Sequence, residues 1–89
     1  MVKDMQRFDH TVQDANGLHA RPAGLLVREK RKYSSRVTLT ANGKTADAGN
    51  LLALLGLGIK KGTRVTVEAD GADETACAAA LKAFFEQQL

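Results

Sequence analysis

Three short stretches of this chain alternate apolar and polar side chains, and each runs into a turn signal. From Arg7 to Gln13, Phe8, His10 and Val12 fall on one face and Arg7, Asp9, Thr11 and Gln13 on the other. Val37, Leu39 and Ala41 repeat the pattern, as do Val65, Val67 and Ala69 between Arg64 and Asp70. A period of two marks a strand with one buried face and one wet face. Strands of that kind cannot enclose a core alone, so helices must cover their apolar side.

The intervening segments supply the turns and the helices. Asp14-Ala15-Asn16-Gly17 is a turn-rich connector. Pro22 then suits the first turn of a helix, where a missing N–H costs nothing. Ala23, Leu26, Val27 and Lys30 recur on one side of that helix, and Ser34-Ser35 ends it. Asn42-Gly43 is the strongest short-range hairpin signal, so Lys44 to Ala48 is expected to return as a paired strand. Asn50 can cap a short apolar helix from Leu51 to Leu57, with Gly58 supplying a positive φ at its exit. Lys61-Gly62 and Asp70-Gly71 mark further turns. Asp73 and Glu74 suit the first turn of a last helix, in which Ala76, Ala79, Ala80, Ala83 and Phe84 recur. The expected order is β-α-β-β-α-β-α, an α+β domain of two layers. Fourteen alanines allow its helices to sit close to the sheet.

With 89 residues, one domain spanning 1–89 is expected. A single cysteine excludes a disulfide framework and a multi-cysteine zinc site. Cys77 lies among alanines and reads as a small buried hydrophobe. The longest apolar run, Leu51 to Ile59, is broken by Gly56 and Gly58. It is far short of the roughly 20 residues that span a bilayer, so no membrane insertion is expected. The first residues mix charges and lack a secretory apolar core, which makes the cytoplasm the expected compartment. The net charge is +3, but its distribution is more informative. Arg21, Arg28, Lys30, Arg31, Lys32 and Arg36 stand against Glu29 alone, whereas Glu68, Asp70, Asp73, Glu74 and Glu86 stand against Lys82. A basic first third suggests an anionic ligand or an acidic partner surface, or else a merely solvated basic helix face. A small nucleic-acid-binding module is an alternative. Four aromatics, none interleaved with basic residues on the strands, and an acidic C-terminal third argue against it.

The stretch that carries chemistry is Asn16-Gly17-Leu18-His19-Ala20-Arg21-Pro22-Ala23. A glycine turn delivers the chain to a helix with Pro22 in its first turn, which puts His19 at or just before the helix N-terminus. The next amides, of Ala20 and Arg21, have no intrahelical partner, and the positive end of the helix dipole adds to them. The Arg21 guanidinium can grip an oxyanion with two parallel hydrogen bonds. Together these groups make a small anion site with a nucleophilic nitrogen at its centre. Such a site favours a phosphoryl group, whose transfer depends mostly on positioning and charge stabilisation. A histidine at a helix start can equally be a cap or a solvated residue, and residue types alone leave both readings open. Turnover catalysis lacks its usual parts: no second histidine or clearly paired carboxylate accompanies His19, and no metal set or Walker A loop is present. A histidine that accepts a group and hands it on needs none of them, and neither metal nor cofactor is expected. His10, between Phe8 and Val12 on an apolar face, reads as a packed structural histidine.

Gly17-Leu18-His19-Ala20-Arg21-Pro22-Ala23 resembles the signature of the histidine-containing phosphocarrier family, HPr, of the bacterial phosphoenolpyruvate:sugar phosphotransferase system (PTS). The Asn42-Gly43-Lys44-Thr45 hairpin, the leucine-rich helix ending Leu57-Gly58, the Lys61-Gly62 turn and Gly71-Ala72-Asp73-Glu74 also fall at family-like positions. The resemblance implies an open-faced β-sandwich: a four-stranded antiparallel sheet covered on one side by three helices. It implies a carrier, not an enzyme. His19 would take a phosphoryl group on Nδ1 from phospho-enzyme I, charged from phosphoenolpyruvate, and pass it to an enzyme IIA domain. Arg21 would neutralise the phosphate, and the amides of Ala20 and Arg21 would cap it. The basic first helix, with Arg28, would face acidic partner surfaces. Leu51, Leu52 and Leu55 would add an apolar docking patch, with Leu54 and Leu57 in the core. The position of the family's regulatory serine holds Asn50, which can cap a helix but cannot take a phosphate. Gly24 departs from the many relatives that carry a larger residue there, and would loosen the turn or let a partner approach closely. A monomer is expected, and a related carrier in a regulatory phosphorelay is the close alternative.

Overall fold

The computed structural model describes residues 5–89. Its elements run β1 (Gln6–Thr11), α1 (Ala20–Lys30), β2 (Arg36–Ala41), β3 (Lys44–Asp47), α2 (Leu51–Leu55), β4 (Arg64–Asp70) and α3 (Glu74–Gln88). This is the β-α-β-β-α-β-α order expected from the alternation and the turn signals. The four strands form one antiparallel sheet in the order β1-β4-β2-β3. Phe8 is paired with Val67, and Val67 with Leu39, so the apolar alternations of neighbouring strands fall on the same face.

That face carries the core. Val37, Leu39, Val65 and Val67 are fully buried against Leu26 of α1, Leu54 of α2, and Cys77, Leu81 and Phe85 of α3. Helix α3 packs on β1 and β4, α1 on α2 and α3, and α2 beside β3. The opposite face is polar. Arg7 pairs with Glu68, Arg64 with Asp9, and Thr66 donates to Asp9 as well. The fold is therefore the open-faced sheet with three helices that the resemblance implies. His10 sits on the core side with its ring edge-on to Phe85, at 5.4 Å between centroids, as a packed histidine would. Cys77 is buried, and burial pushes its thiol up, so it behaves as packing.

The local departures from expectation have physical causes. Helix α2 ends at Leu55, not Leu57, because Leu57 and Gly58 bond three residues back and tighten the last turn. Gly58, at φ +66°, then reverses the chain, and Leu57 and Ile59 enter the core. Strand β1 stops at Thr11, since Gln13 and Asp14 turn their amides to the Leu89 carbonyl. Asp73 is the N-cap of α3, yet its carboxylate does not cap that helix. It accepts instead from the amides of Ser34 and Ser35 and from the Ser35 hydroxyl, clasping the α3 entry to the start of β2. The Asn42-Gly43 hairpin is as expected, with φ of +53° and +77° at its two central residues.

Candidate functional site

The approach to His19 is built from backbone constraints. The Asp14 carboxylate accepts from the Asn16 amide at 2.7 Å, and its carbonyl from Gly17 at 3.0 Å, closing the turn. Gly17 adopts φ +63°, and a Cβ there would lie 2.3 Å from the Ile59 carbonyl oxygen. Only glycine meets both demands. The Leu18 amide then donates to that same Ile59 carbonyl at 3.1 Å, and the Leu18 side chain is buried. The residue before His19 is thus pinned on both its backbone and its side chain.

His19 is the N-cap of α1, with extended backbone at φ −99° and ψ −174°. Its carbonyl accepts the first helical bond, from Ala23, at 3.0 Å. Its side chain makes no capping bond and is half-exposed, so the imidazole is left free for another task. Ala20, Arg21 and Pro22 form the first turn. Pro22 has no N–H, and among the described residues the Ala20 and Arg21 amides donate to no backbone carbonyl. Two unpaired donors and the positive helix end therefore lie beside the imidazole, with no acidic residue in the first turn to quench them. Arg21 is exposed and forms no ion pair among the described residues. No group of His, Cys, Asp or Glu suited to hold a metal occurs among the described residues.

The other residues singled out from the sequence divide into two sets. Arg28, Leu51 and Leu52 come together along a groove of about 540 Å³ between α1 and the start of α2. Leu52 is 80% exposed and Leu51 39%. Leu55 is half-buried, packs against the core and does not line that groove. Leu54 and Leu57 are core, as expected. Asn50 caps α2 through its side-chain oxygen, which accepts from Ala53 at 3.1 Å. Two features were not foreseen. The fit of Gly17 against the Ile59–Lys60 backbone depends on a partner 42 residues away in the chain. Arg31 also lines the groove, as does Gly24, where the sequence already suggests room for a partner's close approach.

A family profile described as the PTS HPr component phosphorylation site matches residues 6–87. The chain is 38% identical over 78 residues to the phosphocarrier protein HPr of Mycoplasma capricolum, covering 88% of each. It is 44% identical over 70 residues to that of Haemophilus influenzae, covering 79% of this chain and 82% of the other. Among solved structures, the histidine-containing phosphocarrier protein of Mycoplasma superposes with a TM-score of 0.88 at 35% identity, covering 92% and 93% of the two chains. HPr of Bacillus anthracis superposes with a TM-score of 0.84 at 31% identity, covering 91% and 96%. These likenesses favour neither the regulatory-relay nor the nucleic-acid reading. The profile, the relatives and the backbone converge on one assignment: the chain belongs to the HPr family and is a phosphocarrier of the phosphotransferase system, not an enzyme.

Proposed function

We propose that His19 is the residue that bears the phosphoryl group, on Nδ1, between phospho-enzyme I and an enzyme IIA domain. The observation that carries this reading is the uncommitted His19 imidazole at the N-cap of α1, beside the unpaired amides of Ala20 and Arg21. With the ring proton on Nε2, the Nδ1 lone pair attacks phosphorus. The bond from phosphorus to the donor histidine breaks as the Nδ1–P bond forms, and the donor ring, protonated on its other nitrogen, leaves with the electron pair as neutral imidazole. The Nε2 proton then passes to water. Arg21 and the two amides hold the phosphoryl oxygens throughout. They stabilise charge already present and reorganise little, which suits a group that must leave as readily as it arrives. Transfer to enzyme IIA repeats the same displacement with the partner's histidine as nucleophile.

Docking is proposed to use Arg28 with Leu51, Leu52 and Leu55. Leu52 in particular holds a large apolar side chain in water, and Arg28 sets a positive charge beside it. The carrier works as a monomeric cytoplasmic domain spanning residues 1–89. Asn50 leaves α2 capped but without a hydroxyl to phosphorylate, so regulation through that position is not available to this chain. Incubation with enzyme I and radiolabelled phosphoenolpyruvate tests the reading: the label should be acid-labile, and His19→Ala should take none. An ATP-dependent HPr kinase should leave residues 49–52 unmodified.

A further inference from the structure

The hairpin between β2 and β3 reaches a distant loop through one side chain. Asn42 opens the turn at φ +53°, and its Nδ2 donates to the Leu57 carbonyl at 2.9 Å and to the Gly58 carbonyl at 3.2 Å. Among the described residues no backbone amide donates to either of these carbonyls. A Cβ built on Gly58 would touch the same nitrogen at 3.9 Å, so the amide packs directly on this segment. The turn itself does not require these bonds. Glycine or aspartate serves at its first central position as well as asparagine, because what the turn needs there is a positive φ. Asparagine alone among the three adds a donating amide.

The fastened segment leads to the site. Leu57 and Ile59 are buried, and Gly58 between them sits at φ +66°. The next carbonyl along, that of Ile59, accepts from the Leu18 amide at 3.1 Å, and Leu18 precedes His19. Beyond Ile59 the chain closes on itself: the Lys60 amide donates to Thr63 Oγ1, and the Thr63 amide to the Lys60 carbonyl, both at 3.0 Å. The segment is thus held at both ends, with Asn42 as the fastening on the α2 side. The exposed leucines Leu51 and Leu52 belong to the opposite end of α2, under the Asn50 cap.

We propose that Asn42 is a positioning residue for phosphoryl transfer. Its side-chain amide fixes the Leu57–Gly58 backbone and so sets the Ile59 carbonyl, which holds Leu18 and through it the placement of the His19 imidazole. The proposal rests on the reading above that His19 bears the phosphoryl group. Asn42 touches no reacting atom. Its effect falls on the step in which the bound donor is attacked, because a misplacement of about 1 Å can slow such a step by as much as about a hundredfold. Without the amide the two carbonyls turn to water and the segment gains freedom. Docking is left as it was, since the exposed leucines are held from the other end of α2.

The test separates positioning from docking and from stability. Enzyme I charged from phosphoenolpyruvate is mixed rapidly with each variant, and the transfer rate at saturation is resolved from the concentration that gives half of it. Asn42→Gly keeps the turn and removes the amide. Asn42→Asp keeps the side chain's shape and turns a carboxylate on the two carbonyls. Both should lower the saturating rate about three- to tenfold and move the half-saturating concentration less than about twofold. Deuterium exchange at the Leu18 amide should quicken about tenfold in both, because its acceptor is loosened. Thr45→Ala removes a hydroxyl pair with Thr40 from the same hairpin and should leave rate and exchange at wild type. Either Asn42 variant, folded and transferring at the wild-type rate, overturns the proposal. So does a rise in half-saturating concentration at unchanged rate, or a slowed transfer with wild-type Leu18 exchange. An equal loss in Thr45→Ala also overturns it, by assigning the effect to hairpin stability. If one Asn42 variant does not fold, the other decides. A wild-type chain that takes no phosphoryl group refutes the His19 reading itself, an outcome distinct from a labelled wild type whose Asn42 variants are indifferent.

Discussion

Gly17 holds two constraints at one residue: φ of +63° and a backbone neighbour where a Cβ would have to go. Alanine there must strain the turn and push the Ile59–Lys60 segment away. Gly17→Ala should cost about 2 kcal/mol or more, read from urea unfolding. Because Leu18 bonds to that same carbonyl, the loss should extend to the placement of His19 and slow its phosphorylation. Asn50 is the milder case. It satisfies one amide of a short helix, so Asn50→Ala should cost about 1 kcal/mol, and Asn50→Asp should largely keep the cap. Sequence reading identified Asn50 from its residue type alone, because capping is local. It identified Gly17 only as part of a turn, since the Ile59 contact joins segments far apart in the chain.

At the scale of elements, α2 sorts its leucines by solvent exposure. Leu54 is fully buried and Leu52 is 80% exposed, two residues apart on the same turn and a half of helix. Leu54→Ala should destabilise by about 2–5 kcal/mol, whereas Leu52→Ala should change stability by less than about 0.5 kcal/mol and weaken enzyme I binding. Thermal unfolding and a binding titration on the pair check both halves. The clasp between α3 and β2 gives an acid-dependent counterpart. The Ser35 hydroxyl and the Ser34 amide hold the Asp73 carboxyl below its usual range. A carboxyl depressed in the folded state adds stability above its unfolded value and loses it as pH falls toward the folded value. Unfolding midpoints should therefore be steady down to roughly pH 4 and decline below it, with a shallower decline in Asp73→Asn. Arg64 and Thr66 depress Asp9 in the same direction, so some acid sensitivity should remain in that variant.

These elements also show what could be read from the chain alone. Strand faces, helix positions, the hairpin and the N-cap placement of His19 follow from periodicity, Pro22 and the Asn-Gly pair, all of them local signals. The Asp73 clasp was missed because an aspartate at a helix start ordinarily caps that helix. Its diversion to Ser34 and Ser35 depends on tertiary approach, and Gly71 permits it by leaving room against Ser35. The half-burial of Leu55 is not legible in the sequence, because a short apolar helix seen there has no outward direction. The sheet behind it supplies one.

For the whole molecule, the proposed site lies on the helical side and the outer sheet face carries polar pairs. His19, the two amides, Arg21 and the α1–α2 groove share one end of the helical layer, while the outer sheet face carries the Arg7–Glu68 and Arg64–Asp9 pairs. Those pairs are exposed and contribute little to stability. A protein that meets a donor and an acceptor in turn can use a single shared surface, and two arginines of the basic first third, Arg28 and Arg31, line the groove. The central claim is that the group His19 accepts is also given up. Labelled carrier, prepared with enzyme I and freed of it, is mixed with an unlabelled enzyme IIA domain and followed by electrophoresis at neutral pH. The account predicts that the label leaves His19 and appears on the IIA domain. Label that stays on the carrier, survives acid, or is found on His19→Ala would contradict it.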